Sequence, residues 1–189
     1  MLHLASQSPR RRDLLALFGL AFGVLDIYLH EQPQTSERPE DYVRRVAREK
    51  AGAGLLQVVG VPGALVLGAD TEVILDGEVF GKPRDAADAA AMLRRLSGRT
   101  HRVLSAVSLV SAGREMQALS ESDVTFAELD GATINAYVAS GEPSGKAGGY
   151  AIQGAAQAFI PRLSGSYSGV MGLPLFETAQ MLRAFGALA

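Results

Sequence analysis

The 189-residue chain has no cysteine, only three histidines and few aromatic residues, which make up 6% of it. Without cysteine, disulfides, thiolate nucleophiles and zinc–sulfur sites are excluded. The histidines are His3, His30 and His101, and their spacing does not form a ligand motif such as HExxH. The chain therefore lacks thiol chemistry and the common zinc motifs.

Long apolar runs are also missing. No run approaches the ~20 residues that a membrane helix needs, and the first apolar stretch is too short for a signal peptide, so we expect a cytoplasmic protein. The formal net charge is −2, which argues against general attraction to nucleic acid or acidic membranes. With 48% hydrophobic and 20% charged residues, the composition is that of an ordinary globular protein.

Helical and strand-like patterns alternate along the chain and predict an α/β fold. We expect strands at 2–5, 22–28, 64–68, 71–75, 78–80, 102–110 and 122–126, and helices at 9–19, 38–57, 85–96, 130–140 and 174–185. Asp76-Gly77, between two apolar runs, is a strong type I′ hairpin signal. Because a hairpin pairs antiparallel strands, the sequence favours a mixed sheet with flanking helices over a doubly wound parallel sheet.

A basic segment, Ser6 to Arg12, opens the first predicted helix. Ser8 is a good N-cap and Pro9 suits the first helical position. Arginines at a helix N-terminus are electrostatically misplaced unless an anion binds there, and a phosphate-bearing ligand would supply one. On these residues alone, a solvated basic patch is an equally good interpretation, and Arg12 is expected to be such a surface charge.

Asp70 follows the apolar strand 64–67 and the small pair Gly68-Ala69. The carboxyl end of a central strand is where open α/β sheets place ligand chemistry. The alternative is an aspartate that only caps a turn, and we favour the chemical role. Glu31, in a polar segment between a strand and a helix, could hold a divalent cation together with Asp70 through oxygen ligands. Taken alone, Glu31 is better interpreted as an exposed loop residue.

Lys50 shares one predicted helix face with Val43, Val46 and Ala47. That face meets the body of the protein, so Lys50 either snorkels at its edge or turns into a cleft toward phosphate or a carboxylate. Lys82, in Gly81-Lys82-Pro83, could likewise present a point charge to phosphate, although an exposed turn lysine is an equal alternative.

Residues 141–154 form the longest glycine-rich stretch. It is not a Walker A loop, because the glycine spacing is one residue short and Ala147 follows Lys146. It is better interpreted as a loop whose backbone comes close to a ligand. Lys146 then supplies a cation, and the Gln153 amide hydrogen-bonds to the edge of a base. Taken alone, the stretch is more safely interpreted as a flexible surface loop.

The candidate chemical groups are five cations and two carboxylates: Arg10, Arg11, Lys50, Lys82 and Lys146, with Asp70 and Glu31. Stability poorly explains such a mixture, since buried charges must be paired. Phosphoanhydride hydrolysis needs it, because cations and metal neutralise the polyphosphate while a carboxylate orients or deprotonates water.

These residues belong to ordered motifs through which nearly the whole chain resembles the Maf family of nucleoside triphosphate pyrophosphatases. The motifs are Leu4-Ala5-Ser6-Gln7-Ser8-Pro9-Arg10-Arg11, Ala47-Arg48-Glu49-Lys50-Ala51, Gly68-Ala69-Asp70-Thr71, Asp76-Gly77-Glu78, Gly81-Lys82-Pro83, Leu96 to His101, Gly141-Glu142-Pro143, Lys146 to Tyr150, Ile152-Gln153-Gly154 and Gly165 to Pro174. The form from Lys146 to Gly154 is similar to the dTTP/UTP subfamily rather than to the one acting on 7-methyl-GTP.

The resemblance implies a single domain over 1–189, with two lobes around a central cleft as in the inosine triphosphate pyrophosphatases, and a homodimer. It implies a house-cleaning cut of dTTP, UTP or modified pyrimidine nucleotides between the α- and β-phosphates, with Mg²⁺ or Mn²⁺. Asp70 matches the family's proposed proton acceptor. The matches near phosphate or metal are Glu31, Lys50 and Lys82, those tied to base selection are Arg10, Thr71 and Gln153, and Ser8, Arg11 and Lys146 are expected to bind substrate.

Two residues depart from the family pattern. Gly145 stands where many members carry an acidic residue, so no role of that acid carries over, and Ser105 replaces the usual threonine but keeps the hydroxyl. A different class of function also stays open: a nucleotide-binding regulator of cell division that inhibits septum formation without turnover.

Overall fold

The structure is a computed structural model that describes all residues from Met1 to Ala189. The strands are β1 (Leu2–Leu4), β2 (Phe22–Val24), β3 (Leu65–Leu75), β4 (Glu78–Phe80), β5 (Thr100–Val110), β6 (Glu115–Thr125) and β7 (Arg162–Ser164). The α-helices are α1 (Pro9–Ala16), α2 (Pro39–Gln57), α3 (Ala86–Leu96), α4 (Gly131–Ala139), α5 (Tyr167–Met171) and α6 (Leu175–Ala184), and two short 3₁₀ helices span Ala147–Gly149 and Ala155–Phe159. None of the helices has both the length and the apolar character required to cross a bilayer.

The seven strands form one mixed sheet in the order β2-β1-β3-β5-β6-β7, with β4 paired to β3. β1 runs parallel to β2 and β3, whereas the β3–β4 and β6–β7 pairs are antiparallel. In the β3–β4 hairpin Leu75 pairs with Glu78, and Asp76 and Gly77 have φ angles of 54° and 79°. Two positive φ values are what a type I′ turn requires. The predicted mixed sheet and hairpin are therefore confirmed, although β2 ends four residues earlier than the predicted 22–28.

The chain divides into two compact units. The first unit comprises 1–70, 105–120 and 172–189, and the second comprises 71–104 and 121–171. The first contains an apolar cluster formed by Ala5, Ala51, Val58, Ala64, Val66 and Val110. The second contains a larger cluster that includes Leu93, Leu96, Phe126, Tyr150 and Phe159. Each unit thus has an apolar core of its own.

His101 belongs to the aromatic core of the second unit. Its ring packs edge-to-face on Phe126 and Tyr150, with centroid distances of 5.0 and 5.3 Å, and its Nε2 lies 2.8 Å from the Tyr150 hydroxyl. Burial lowers the pKa of His101 to about 4 and raises the pKa of Tyr150 above its usual value. This histidine is therefore an uncharged core residue at neutral pH.

Several predicted boundaries are wrong: β6 begins at Glu115 instead of residue 122, and another error concerns Asp70. The two predicted strands 64–68 and 71–75 are a single 11-residue strand, β3, so Asp70 lies inside a strand instead of following one. β1, however, pairs with β3 only as far as Leu67. Asp70 therefore lies past the carboxyl end of its parallel neighbour, which is the kind of position that ligand sites use in α/β sheets.

The glycine that suggested a strand end has a different reason. A Cβ atom at Gly68 would meet the carbonyl of Ala47 and lie 2.6 Å from the backbone nitrogen of Ala51, both on α2. Only glycine lets the helix backbone pack this closely on the strand. Gly68 thus brings α2, with Lys50, against the part of β3 that carries Asp70.

A Gly68→Ala variant is expected to lose about 1–3 kcal/mol of unfolding free energy. The added methyl group would clash with backbone atoms of α2, and the helix would have to shift to make room for it. Gly52→Ala is the matched control. Gly52 also lies on α2, but a Cβ there meets nothing within 4 Å, so alanine should stabilise the helix by up to ~1 kcal/mol. Urea unfolding of both variants checks this, and equal stabilities would contradict the close approach.

Candidate active site

The most buried charged cluster of the first unit joins a lysine to two carboxylates. Lys50 Nζ lies 2.9 Å from Asp70 Oδ1 and 3.0 Å from Glu31 Oε1. The side chains of Lys50 and Asp70 are only 11% and 8% exposed, whereas that of Glu31 is 36% exposed. The lysine therefore bridges one buried carboxylate and one that is open to solvent.

Helix α2 turns Lys50 inward. Its buried residues form one stripe: Tyr42, Val43, Val46, Ala47, Lys50, Ala51 and Gly54. This confirms the predicted face of Lys50, and the side chain ends on carboxylates instead of reaching solvent. A buried ammonium must be paired, and the two acids supply that pairing in this structure.

Arg11 is a second cation near the same acids. Its Nε donates to the Gly172 carbonyl at 2.8 Å, and its Nη1 donates to Ser6 Oγ at 3.4 Å. Desolvation lowers the pKa of Arg11, and the charges of Asp70 and Glu31 act against that shift. The guanidinium is held by backbone and hydroxyl oxygens within electrostatic reach of both carboxylates.

The rest of the basic segment separates into structural and solvated residues. Ser8 caps α1, since its Oγ accepts from the backbone nitrogen of Arg11 at 3.5 Å. Arg12 is an exposed side chain 4.0 Å from Asp13, as expected for a surface charge, and Arg10 is partly buried. The three consecutive arginines thus have three different environments.

The acids can be tested for their fit to a divalent cation. Asp70 Oδ2 is a buried oxygen without a hydrogen-bond partner, and Glu31 is accessible. No group of three or more His, Cys, Asp or Glu side chains in the structure could hold a metal by itself. Mg²⁺ in nucleotide enzymes commonly takes one or two carboxylates and completes its shell with phosphates and water. Asp70 and Glu31 fit that kind of site.

Four of the predicted substrate-binding or catalytic residues lie in the second unit. Thr71 and Gln153 are partly buried and Lys82 is exposed. Lys146 is partly buried, and its Nζ donates to the carbonyls of Glu142 at 2.6 Å and Ser144 at 3.3 Å. The structure gives their places, and their roles remain predictions.

The glycine-rich stretch 141–154 is organised by Glu142, a residue whose role the sequence analysis missed. Glu142 Oε1 accepts from the Tyr137 hydroxyl at 2.7 Å, and Oε2 accepts from the Ala155 nitrogen at 3.1 Å. A Cβ at Gly154 would overlap the same carboxylate. The Glu142 carboxylate thus connects α4, the glycine-rich stretch and the following 3₁₀ helix. The position of this glutamate within a glycine-rich stretch was the feature of the sequence that could have indicated its role.

Arg45 was also missed. Its guanidinium bonds both oxygens of Glu37 at 2.7 and 2.8 Å and also reaches Glu49 and the Gln32 carbonyl. The hydrogen bond from Arg45 is the main reason that the pKa of Glu37 is lowered to about 2. The Arg45–Glu49 spacing of four was visible in the sequence, but the Glu37 partner lies outside the helix.

Comparison with known proteins gives a family and named relatives. The family described as "Maf-like protein" matches residues 1–185. The dTTP/UTP pyrophosphatase of Xanthomonas euvesicatoria pv. vesicatoria (strain 85-10) is 60% identical over 189 residues, which cover 99% of this chain and 100% of that protein. The nucleoside triphosphate pyrophosphatase of Xylella fastidiosa (strain 9a5c) is 58% identical over 186 residues, 98% of each. The solved structure of the Staphylococcus aureus Ham1 protein aligns with a TM-score of 0.45 and 13% identity over 67% of this chain and 72% of that one.

Proposed function

Because this chain belongs to the Maf-like protein family, we propose that it hydrolyses dTTP and UTP to the nucleoside monophosphate and pyrophosphate. Full-length identity of 60% to a protein named dTTP/UTP pyrophosphatase carries the proposal, and modified pyrimidine triphosphates are included as substrates. The family match over 1–185 supports treating the chain as a single functional domain.

The charged cluster of the first unit supports this chemistry. Water must add to one of the two phosphorus atoms that share the α–β bridging oxygen, and the bond to that oxygen must break. Asp70 is suited to take the water proton, since its Oδ2 has no other partner. Lys50 and Arg11 are suited to face the negative phosphates, and cations in a partly buried site stabilise developing charge more than they would in water.

A divalent cation, Mg²⁺ or Mn²⁺, would be held by Asp70 and Glu31 together with the substrate phosphates. When bound, it would neutralise phosphate charge and orient the polyphosphate. Lys50, which touches both acids, would then keep the two carboxylates in place and limit their mutual repulsion.

The remaining assignments follow from the family and are proposals here. Asp70, Lys50 and Lys82 have catalytic roles, and Ser8 and Lys146 bind substrate. Base selection falls to Arg10, Thr71 and Gln153, whose amide offers a donor and an acceptor to a base edge. We further propose a cytoplasmic homodimer that acts on free nucleotides and not on nucleic acid, in line with the net charge of −2.

A panel of all common nucleoside triphosphates tests the proposal. With Mg²⁺ or Mn²⁺ the purified protein should release pyrophosphate and the monophosphate from dTTP and UTP, and much less from purine nucleotides, with products separated by ion-exchange chromatography. Release of orthophosphate and a diphosphate would overturn the assigned bond. Tight nucleotide binding without turnover in any metal would instead favour the regulator of cell division.

A further inference from the structure

Glu31 lies in a segment without helix or strand, residues 25–38, here called the Glu31 loop. At its start, the Leu25 nitrogen donates to the Leu4 carbonyl at 2.9 Å, and Gln57 Nε2 donates to the Asp26 carbonyl at 2.9 Å. These bonds hold the first residues only. The remaining residues of the loop, which include Glu31, need another attachment if the Glu31 carboxylate is to stay beside Lys50.

Arg45 provides that attachment. Nε and Nη2 donate to the two oxygens of Glu37 at 2.7 and 2.8 Å, and Nη2 also donates to the Gln32 carbonyl at 3.0 Å. Nη1 donates to both oxygens of Glu49, at 3.0 and 3.2 Å, on the next turn of α2. All three guanidinium nitrogens therefore donate hydrogen bonds, and three of the five bonds go to the Glu31 loop.

Glu37 in turn binds the backbone of the loop. Its Oε2 also accepts from the Gln34 nitrogen at 2.9 Å, and its side chain is only 9% exposed. The Gln32 carbonyl belongs to the residue directly after Glu31. One guanidinium on a rigid helix thus holds the chain immediately beyond Glu31 and closes the turn that follows.

The pair between Glu31 and Lys50 holds the loop at one side chain only, and that of Glu31 is 36% exposed. Water screens the attraction at the exposed end, and the glutamate side chain loses entropy when it is held in place. Arg45 and Lys50, by contrast, both lie on α2, five residues apart, which a helix spans in about 7.5 Å. The helix therefore sets the distance between the point that holds the loop and the lysine that meets Glu31.

We propose that Arg45 is a positioning residue that anchors the Glu31 loop on α2 and so places the Glu31 carboxylate beside Lys50 and Asp70 for cation binding. This rests on the proposed function, in which Glu31 and Asp70 hold the divalent cation. The hydrogen bonds of Arg45 go to Glu37, Glu49 and the Gln32 carbonyl, and not to Lys50 or Asp70. Its effect is on the geometry of a ligand, as with other residues that orient metal ligands.

The test compares Arg45→Met with Arg48→Met. Arg48 lies on the same helix and loses an ion pair of similar length, 2.7 Å to Glu115, but it has no bond to the Glu31 loop. In the protein without metal or nucleotide, amide hydrogen exchange of residues 32–37 should be at least about 10-fold faster in Arg45→Met and unchanged in Arg48→Met. Glu37→Gln should shift exchange in the same direction by less, since it removes the charge and keeps the shape.

The second measurement is the Mg²⁺ dependence of dTTP hydrolysis. The half-saturating Mg²⁺ concentration should rise about 10-fold in Arg45→Met, while kcat at saturating Mg²⁺ changes less than about threefold. Wild-type exchange in the loop, or wild-type Mg²⁺ dependence in an active Arg45→Met enzyme, would overturn the positioning role. If the wild-type protein hydrolyses no triphosphate, the proposed function fails, and the exchange measurement still decides whether Arg45 anchors the loop.

Discussion

Replacing Asp70 with asparagine is expected to lower kcat for dTTP by at least ~100-fold while the protein stays folded. Asp70 Oδ1 is occupied by Lys50 Nζ at 2.9 Å, and Oδ2 is buried without a partner. The free oxygen is the one available to accept a proton from water. Asparagine preserves the shape of the side chain but loses the charge and cannot serve as a base.

A titration with Mg²⁺ separates the two roles assigned to Asp70. If Asp70 acts as the base, kcat stays low at every Mg²⁺ concentration. If it acts chiefly as a metal ligand, raising Mg²⁺ restores much of the activity. Near-normal kcat under standard conditions would remove Asp70 from both roles.

Asp130→Asn is the matched control for this experiment. Asp130 caps α4 by accepting from the Thr133 nitrogen at 2.7 Å, and asparagine caps a helix about as well as aspartate. The control carries the same chemical change on a structural residue, so it should keep wild-type kcat. A comparable loss in Asp130→Asn would mean that the effect of Asp70→Asn is not specific to the site.

Replacing Lys50 with methionine is expected to destabilise the protein by about 3 kcal/mol at neutral pH. Methionine fits the apolar stripe of α2, but it leaves Asp70 buried without its cation and next to Glu31. Leaving a buried charge without its partner destabilises the folded state by more than the net contribution of the ion pair to stability. In the enzyme assay the same variant should chiefly raise the KM for triphosphate, because one phosphate-facing cation is gone.

A double-mutant cycle assigns this loss to the pair. Lys50→Met leaves the Asp70 charge buried without a partner, and Asp70→Asn removes that charge. The double variant should therefore lose at least ~1 kcal/mol less unfolding free energy than the sum of the two single variants. Arg48→Met, which removes an exposed ion pair from the same helix, should cost no more than ~1 kcal/mol. The unfolding free energies of the wild type, the two single variants, the double variant and Arg48→Met are measured by urea unfolding. Additive losses, or a Lys50→Met variant as stable as Arg48→Met, would contradict a coupled buried pair.

Features that depend on neighbours in the sequence were predicted well. The apolar spacing of α2 placed Lys50 on the buried face, because a regular helix converts spacing directly into direction. The Asp76-Gly77 turn was equally predictable, since few residues tolerate two positive φ angles. The cap at Ser8 is also as expected.

Features that depend on distant residues were not predictable in the same way. Gly68 suggested a strand end, although its actual cause is a helix backbone packed on it. Nothing in the sequence shows that Arg45 meets Glu37, eight residues away across the helix start. Nor does it show that Arg11, rather than a neighbouring arginine, is held by the Gly172 carbonyl, a contact across 161 residues.

The sequence by itself determined the mixed α/β class, the helix that carries Lys50, the hairpin and, through its ordered motifs, the family. Each of these is encoded by local periodicity, turn chemistry or a run of matching residues. Only the tertiary structure decided that Lys50 lies between Asp70 and Glu31, that one Asp70 oxygen is left free, and that Arg45 anchors the Glu31 loop. These depend on which distant residues packing brings within about 3 Å, the range in which hydrogen bonds form, and spacing along the chain does not contain that information.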